Sequence, residues 1–311
     1  MRRARRWVLG LVALTALGSC VEPGLPPAAP PAPVVVATPP PPAPRMPAVP
    51  LGDFSFQGSM IQGGLLIGTA PTGARHVSLN GDEVPVAPDG RFVIAFDRDA
   101  GPAATVTATL DEGRTVTRTL TINPRAWNIS RLSTLPKYPV PMPEFEKLRP
   151  AEIEQINAAR RQDTGAMGWR QPFMWPATGR ISTLFGSQRI YRNGEAGSYH
   201  SGTDVAVPAG TPVLAPADGV VILASDHPFL LEGNLLMIDH GMGLNSALMH
   251  LSRIVVTQGQ AVKRGQLVAY SGATGRVTGA HLHWSLRWRN AKIDPLLVAG
   301  AMPGIKQAQL P

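Results

Sequence analysis

Thr278-Gly279-Ala280-His281-Leu282-His283-Trp284 is the stretch on which the reading of this chain turns. Side chains on a strand alternate between faces, so His281 and His283 share one face while Leu282 points into a core and the β-favouring Trp284 follows. A lone strand histidine is usually a satisfied structural residue, so the weight of this pair depends on which other donors converge with it. Moving outward, six of the seven histidines fall between positions 200 and 283: His200, His227, His240, His250, His281 and His283. His200-Ser201-Gly202-Thr203-Asp204 sets a histidine and an aspartate four residues apart, and Val205-Ala206-Val207-Pro208 reads as a strand entering a turn. On a regular strand those two backbones lie roughly 13 Å apart, so their side chains meet only if the chain bends, a freedom that Gly202 supplies. His240, between Asp239 and Gly241, has the setting of a structural turn residue, and His76 and His227 read as structural too.

The chain has 311 residues and a single cysteine, Cys20, which excludes an internal disulfide, an all-thiolate metal site and a CxxC redox pair. Any metal must therefore be held by His, Asp or Glu. A hydrolytic zinc takes three N or O ligands from the protein and keeps a fourth position for water, whose pKa it lowers. Two histidines and an aspartate satisfy that count; spacing alone does not say which histidines they are.

With 32 glycines, 32 prolines and only 16% charged residues, the composition favours strands and turns over long surface helices. The expected fold class is all-β. Residues 51–130 read as a small β-sandwich, with turns at Asn80-Gly81-Asp82 and Pro88-Asp89-Gly90, a strand over 91–96, and a hairpin of 105–110 with 115–122. Residues 131–168 read as a linker holding a helix that starts with Pro150 in its first turn, runs to Arg161, and carries Ile153 and Ile156 on one face. Gly-punctuated strands then fill 169–300, with 301–311 as a tail.

Taken together, Tyr199 to Asp204, Met249-His250-Leu251-Ser252, and Ser271-Gly272-Ala273-Thr274-Gly275 with Thr278 to Trp284 resemble the lysostaphin and LytM-type zinc metallopeptidases, which cut peptide bonds in bacterial peptidoglycan. The resemblance spans roughly residues 178–297, includes Ile293-Asp294-Pro295, and rests on three separated motifs in the family's order. It implies an antiparallel β-sheet catalytic domain behind the small sandwich, with Zn2+ on His200, Asp204 and His283. It also implies that His250 and His281 flank the metal-activated water, one as general base and the other stabilising the oxyanion. The substrate it implies is peptidoglycan peptide, in cross-links or stems. One departure stands out: Leu248 occupies a position where the family often carries Tyr. The alternative within the same fold is a non-catalytic regulator that binds the wall and activates another hydrolase. Residues 211–221 and 256–266 also look like halves of a lipoyl-type carrier, but 222–255 contains no lysine to carry a cofactor.

The amino-terminal end changes the meaning of the net charge of +8. Arg2, Arg3, Arg5 and Arg6 precede the apolar run Trp7 to Gly18, the pattern of an export signal over residues 1–19. Leu17-Gly18-Ser19-Cys20 resembles a bacterial lipobox, which implies lipid attachment at Cys20. Without that segment 25 basic residues face 21 acidic ones, and no basic cluster with interleaved aromatics remains to suggest nucleic acid. Val21 to Pro50 holds 13 prolines in 30 residues, a spacer of extended polyproline type reaching on the order of 90 Å. The expectation is an exported, periplasmic lipoprotein of a Gram-negative bacterium, tied to the membrane by its lipid. The sequence specifies no cell-division or envelope protein partner.

Overall fold

Alternation of small apolar and polar side chains builds the first sheets. In the computed structural model, which describes residues 52–111, 113–132 and 143–303, Ala104, Val106, Ala108 and Leu110 are buried while the residues between them are half-buried. The expected signal, Cys20, the proline-rich spacer and the tail beyond residue 303 lie outside the described residues. The first strands in the chain are β1 (Ser55–Gly58), β2 (Leu65–Thr69), β3 (Ala74–Leu79), β4 (Asp82–Val84), β5 (Arg91–Ala95), β6 (Ala103–Leu110), β7 (Thr115–Thr121) and β8 (Ile129–Arg131). They form an antiparallel sheet in the order β1-β2-β5 and a second in the order β4-β3-β6-β7. The two share a core that includes Phe54, Leu66, Phe92, Val77, Val106 and Leu120. Gly68 is required there, because a Cβ at that position would lie 2.3 Å from the ring of Phe92.

Helix α1 (Pro143–Arg160) follows, then a short 3-10 turn over Gly168–Arg170. The helix begins seven residues before the start expected from Pro150, which lies inside it. Proline removes one ladder hydrogen bond and restricts the residue before it. That residue, Arg149, is held by ion pairs to Glu152 and Glu232, which fix the first turns despite the missing bond. The buried stripe is also different from the expected one: Glu152, Ile156 and Ala159 face inward at helical spacing, whereas Ile153 is 43% exposed.

The remaining strands are β9 (Arg180–Thr183), β10 (Gln188–Ile190), β11 (Thr203–Ala206), β12 (Pro212–Leu214), β13 (Gly219–Ala224), β14 (Asn234–Asp239), β15 (Leu244–Ile254), β16 (Ala261–Val262), β17 (Leu267–Ser271), β18 (Leu282–Trp288) and β19 (Ala291–Ile293). Helix α2 (Pro295–Ala299) ends the described chain, its first turn capped by the Asp294 carboxylate. Ten strands join one antiparallel sheet whose main path is β16-β13-β14-β15-β18-β11-β9, with β12, β17 and β19 added at its sides. Opposed residues of an antiparallel pair share a face. Leu244, Ser246 and Leu248 therefore share one face with Trp288, Leu286 and Trp284, and this face is buried. Asn245, Ala247 and Met249 share the other face with Arg287, Ser285 and His283. Ile156 and Ala159 of α1 pack on this second face, against Leu223, Met237 and Ala247. The face that receives the helix is thus the one that carries His283. Strand β10 leaves the large sheet and pairs in parallel with β8, Gln188 opposite Ile129.

Candidate metal centre and its flanking histidines

Pairing in the sheet does much of the work of assembly. Asp204 on β11 lies directly opposite His283 on β18, and His283 lies opposite Met249, one residue before His250 on β15. The Asp204 Oδ1 is 2.8 Å from His283 Nδ1 and 3.0 Å from His200 Nε2, and the two imidazole nitrogens are 3.1 Å apart. His200 comes from the loop before β11, so the bend expected between positions 200 and 204 is present. Gly202 is needed there for space: a Cβ would sit 2.4 Å from the Trp284 carbonyl oxygen and 2.7 Å from His283 Nε2.

The donor set fits a zinc ion. His200 can donate Nδ1–H to the Leu184 carbonyl at 3.3 Å, which leaves Nε2 as a lone pair aimed at the other two donors. Lone pairs and a carboxylate oxygen crowded within 3.1 Å repel one another unless a cation or a proton sits among them. Tetrahedral zinc with ligands at about 2.0–2.1 Å separates its donors by roughly 3.3 Å, within a few tenths of the spacings seen here. His, Asp and His supply three ligands and leave one position open, the pattern of a catalytic zinc site. Among the described residues this trio alone forms a group able to hold a metal.

Two more imidazoles border the trio. His281 Nε2 lies 3.6 Å from Asp204 Oδ1, and the His250 ring centroid is 4.8 Å from that of His281 and 6.1 Å from that of His283. His250 Nδ1 meets the Thr274 carbonyl at 3.0 Å and His281 Nδ1 meets the Gly279 carbonyl at 2.9 Å. A carbonyl only accepts, so both rings carry a proton on Nδ1 and turn Nε2 elsewhere. His250 has a left-handed backbone, φ 63°, uncommon for any residue but glycine. Its amide donates to the Glu232 carbonyl at 2.8 Å, and Thr274 is fixed by accepting from Asn234 N and donating to the Leu251 carbonyl, both at 2.9 Å.

Burial lowers the His283 pKa and takes that of His250 down to about 4, opposed only in part by the bond to Thr274. At neutral pH both rings are uncharged, one to bind and one to accept a proton. Burial pushes the Asp204 carboxyl up, but the imidazoles of His200 and His283 beside it outweigh this and hold the group below the usual carboxylate range. His240 stands apart, buried and satisfied at both nitrogens by the Asp218 carbonyl and Ser246 Oγ at 2.8 Å. Leu248 is fully buried between its strand partners Leu236 and Trp284, on the face opposite His283.

The model of peptidase family M23 matches residues 198–295, which hold all five of these histidine and aspartate positions. Residues 198–295 are a peptidase family M23 domain. Within it the most similar curated relatives include the peptidoglycan DD-endopeptidase ShyA of Vibrio cholerae, 40% identical over 134 residues, covering 42% of this chain and 31% of that protein. The DD-carboxypeptidase/endopeptidase Mpg of Neisseria meningitidis is 38% identical over 129 residues, covering 42% and 29%. The chain thus spans about a third of the length of these relatives. A solved structure from Pseudomonas aeruginosa assigned to peptidase M23 aligns over 78% of this chain and 96% of its own, with a TM-score of 0.60 and 27% identity. That alignment extends well beyond the M23 domain into the preceding strands. Zinc is the metal of such domains, and among the described residues His200, Asp204 and His283 are the group that could hold it. The sequence motifs pointed to these residues and included Thr274 and Gly279, but gave no sign of Leu184 or Glu232, nor that the backbone carbonyls of all four orient the histidines. Carbonyls carry no residue signature, so such supports are invisible before the fold is known.

Proposed function

We propose that the protein is a zinc-dependent endopeptidase that hydrolyses peptide bonds in peptidoglycan cross-links or stems, exported and held at the membrane by a lipid on Cys20. The observation that carries this reading is the complete set of donors: three converging ligand atoms with two oriented imidazoles beside them. A wall-binding regulator would need none of that arrangement. The peptidoglycan endopeptidase names of its relatives supply the substrate class.

His200, Asp204 and His283 would hold the zinc, which when bound polarises the scissile carbonyl and activates water. His250, uncharged at neutral pH because it is buried, accepts the proton of the attacking water at Nε2. Its Nδ1–H, held by Thr274, keeps the ring from turning and stabilises the charge it gains. His281, fixed through Gly279, is placed on the Asp204 side to stabilise negative charge as it develops on the carbonyl oxygen. His250 can later return that proton to the leaving amine.

The test uses the full chain, purified sacculi and mass spectrometry of the released muropeptides, alongside zinc content. His200→Ala, Asp204→Ala and His283→Ala should lose both zinc and hydrolysis. His250→Ala and His281→Ala should keep zinc and lose about 10²–10⁴-fold in turnover. Undiminished release of muropeptides by the His250→Ala, His281→Ala double variant would sink the mechanism. Lipid labelling of the wild-type chain but not of a Cys20→Ser variant checks the anchor.

A further inference from the structure

Two of the three ligands stand on paired strands and need no outside help; His200 does not. It lies in a loop before β11, and the groups that fix that loop come largely from the sheets at the other end of the chain. Asp97 Oδ1 accepts a hydrogen bond from the Tyr199 hydroxyl at 2.5 Å, and its Oδ2 accepts from the Lys292 amide at 3.0 Å. Next to it, Arg98 is only 6% exposed; its Nε donates to the Gly186 carbonyl at 3.0 Å and a terminal nitrogen to Gln188 Oε1 at 3.1 Å. The same guanidinium lies 5.1 Å from the Trp127 ring centroid and 4.9 Å from that of Tyr199. Gly186 in turn donates to the His200 carbonyl at 2.9 Å, and the His200 amide donates to the Ser187 carbonyl at 2.8 Å. Gly186 has a left-handed φ of 79°, and a Cβ there would enter the Trp127 ring at 2.2 Å. Every backbone bond that sets His200 is therefore one step from Asp97, Arg98 or Trp127.

We propose that the amino-terminal sheets are a built part of the metal site, with Asp97 and Arg98 acting as positioning residues for His200 through Tyr199 and Gly186. The role follows from leverage. His200 must hold Nε2 within a few tenths of an ångström of the other two donors, and a loop with no strand partners of its own cannot do that alone. Groups that orient a metal ligand without touching the metal change affinity by about 10–100-fold when removed. The M23 domain of this chain is accordingly incomplete without residues that lie about a hundred positions earlier.

This inference rests on His200 being a zinc ligand but not on which bond is cut, so its test reads the metal directly. Full-length Asp97→Ala, Asp97→Asn, Tyr199→Phe and Arg98→Gln would be compared with Arg170→Ala, a control that breaks a different contact between the same two parts of the chain, Arg170 with Asp89. Zinc dissociation constants from chelator competition are measured together with thermal unfolding of the metal-free proteins. Tyr199→Phe, which removes one hydroxyl only, and Asp97→Ala should weaken zinc about 10–100-fold, with Asp97→Asn milder because the Lys292 bond can remain. After saturation with zinc, kcat should fall more than KM. Arg170→Ala should leave zinc affinity within about twofold of the parent. Unchanged zinc affinity in Tyr199→Phe and Asp97→Ala overturns the proposal, as does an equal loss in Arg170→Ala, which would make the contact general adhesion.

Discussion

His240 shows how one buried side chain can govern the acid limit of stability. Its Nδ1–H is spent on the Asp218 carbonyl, and Nε2 faces Ser246 Oγ, a hydroxyl that also accepts from Trp284 Nε1. With its lone pair taking the Trp284 N–H, the hydroxyl donates to His240, so the ring is locked neutral. Burial takes its pKa down from 6.5 to about 4. A group whose folded pKa is depressed favours the unfolded state once protons become available, so stability present above pH 6.5 is lost as the pH falls towards 4. The full shift corresponds to about 3 kcal/mol. Urea unfolding of the metal-free protein between pH 7 and 4 should show this fall, and a His240→Gln variant should have a flatter profile whatever its absolute stability. Parallel profiles would refute the assignment. His240 and the five site residues were separable in the sequence because His240 has a turn setting between Asp239 and Gly241, whereas the site residues fall in three separated motifs. Gly202 was singled out for conformational freedom, yet its value is the space beside Trp284 and His283, which only the folded sheet reveals.

Among the elements, α1 departs furthest from its sequence. Proline is a good first residue of a helix, so Pro150 marked a start, and nothing local signalled that an ion pair to Glu232, 83 residues away, would hold the preceding turns. Ile153 and Ile156 cannot both be buried when the inward stripe runs through Glu152, Ile156 and Ala159. The stripe is mixed because its polar member also docks: Glu152 accepts from Arg149 and from the Leu230 amide at 2.7 Å. Ile156→Ala should therefore cost about 2–4 kcal/mol in urea unfolding, and Ile153→Ala less than about 0.5. Equal costs would mean the helix packs in another rotation. The helix rests on the face of the sheet that bears His283, and Arg149 grips the loop whose Glu232 carbonyl holds His250. Strands were easier to read than this helix, since the alternation of β6 and the β6–β7 turn are encoded within a few residues of one another.

At the scale of the whole molecule, the contact between the amino-terminal sheets and the M23 domain had no signature in the sequence, because its pairs join residues roughly 60 to 200 positions apart. Asp294 is the clearest case. It is 2% exposed, caps α2 through Leu296 N at 3.0 Å, donates its own amide to the Gly63 carbonyl at 2.9 Å, and is paired with Arg125 at 2.8 Å. Burial holds its carboxyl up, and Arg125 is the charge that opposes this. The motif Ile293-Asp294-Pro295 was legible as part of the family pattern, but its arginine partner was not. Removing Arg125 leaves a buried carboxylate uncompensated, at a cost of about 3–5 kcal/mol, while a Leu at position 125 keeps much of the packing and still leaves the charge unpaired. Because the described residues fall in one compact unit, both sets of sheets should melt together. Calorimetry of the wild-type chain should give one transition with matching calorimetric and van't Hoff enthalpies, and both Arg125→Ala and Arg125→Leu should move that whole transition down, by at least about 6 °C for a unit of this size. An Asp294→Asn change made on top of Arg125→Leu should recover part of the loss, since it removes the stranded charge while keeping a cap for α2. Two separable transitions, with only the earlier one shifted, would show instead that the sheets fold independently and that Asp294 stabilises its own side alone.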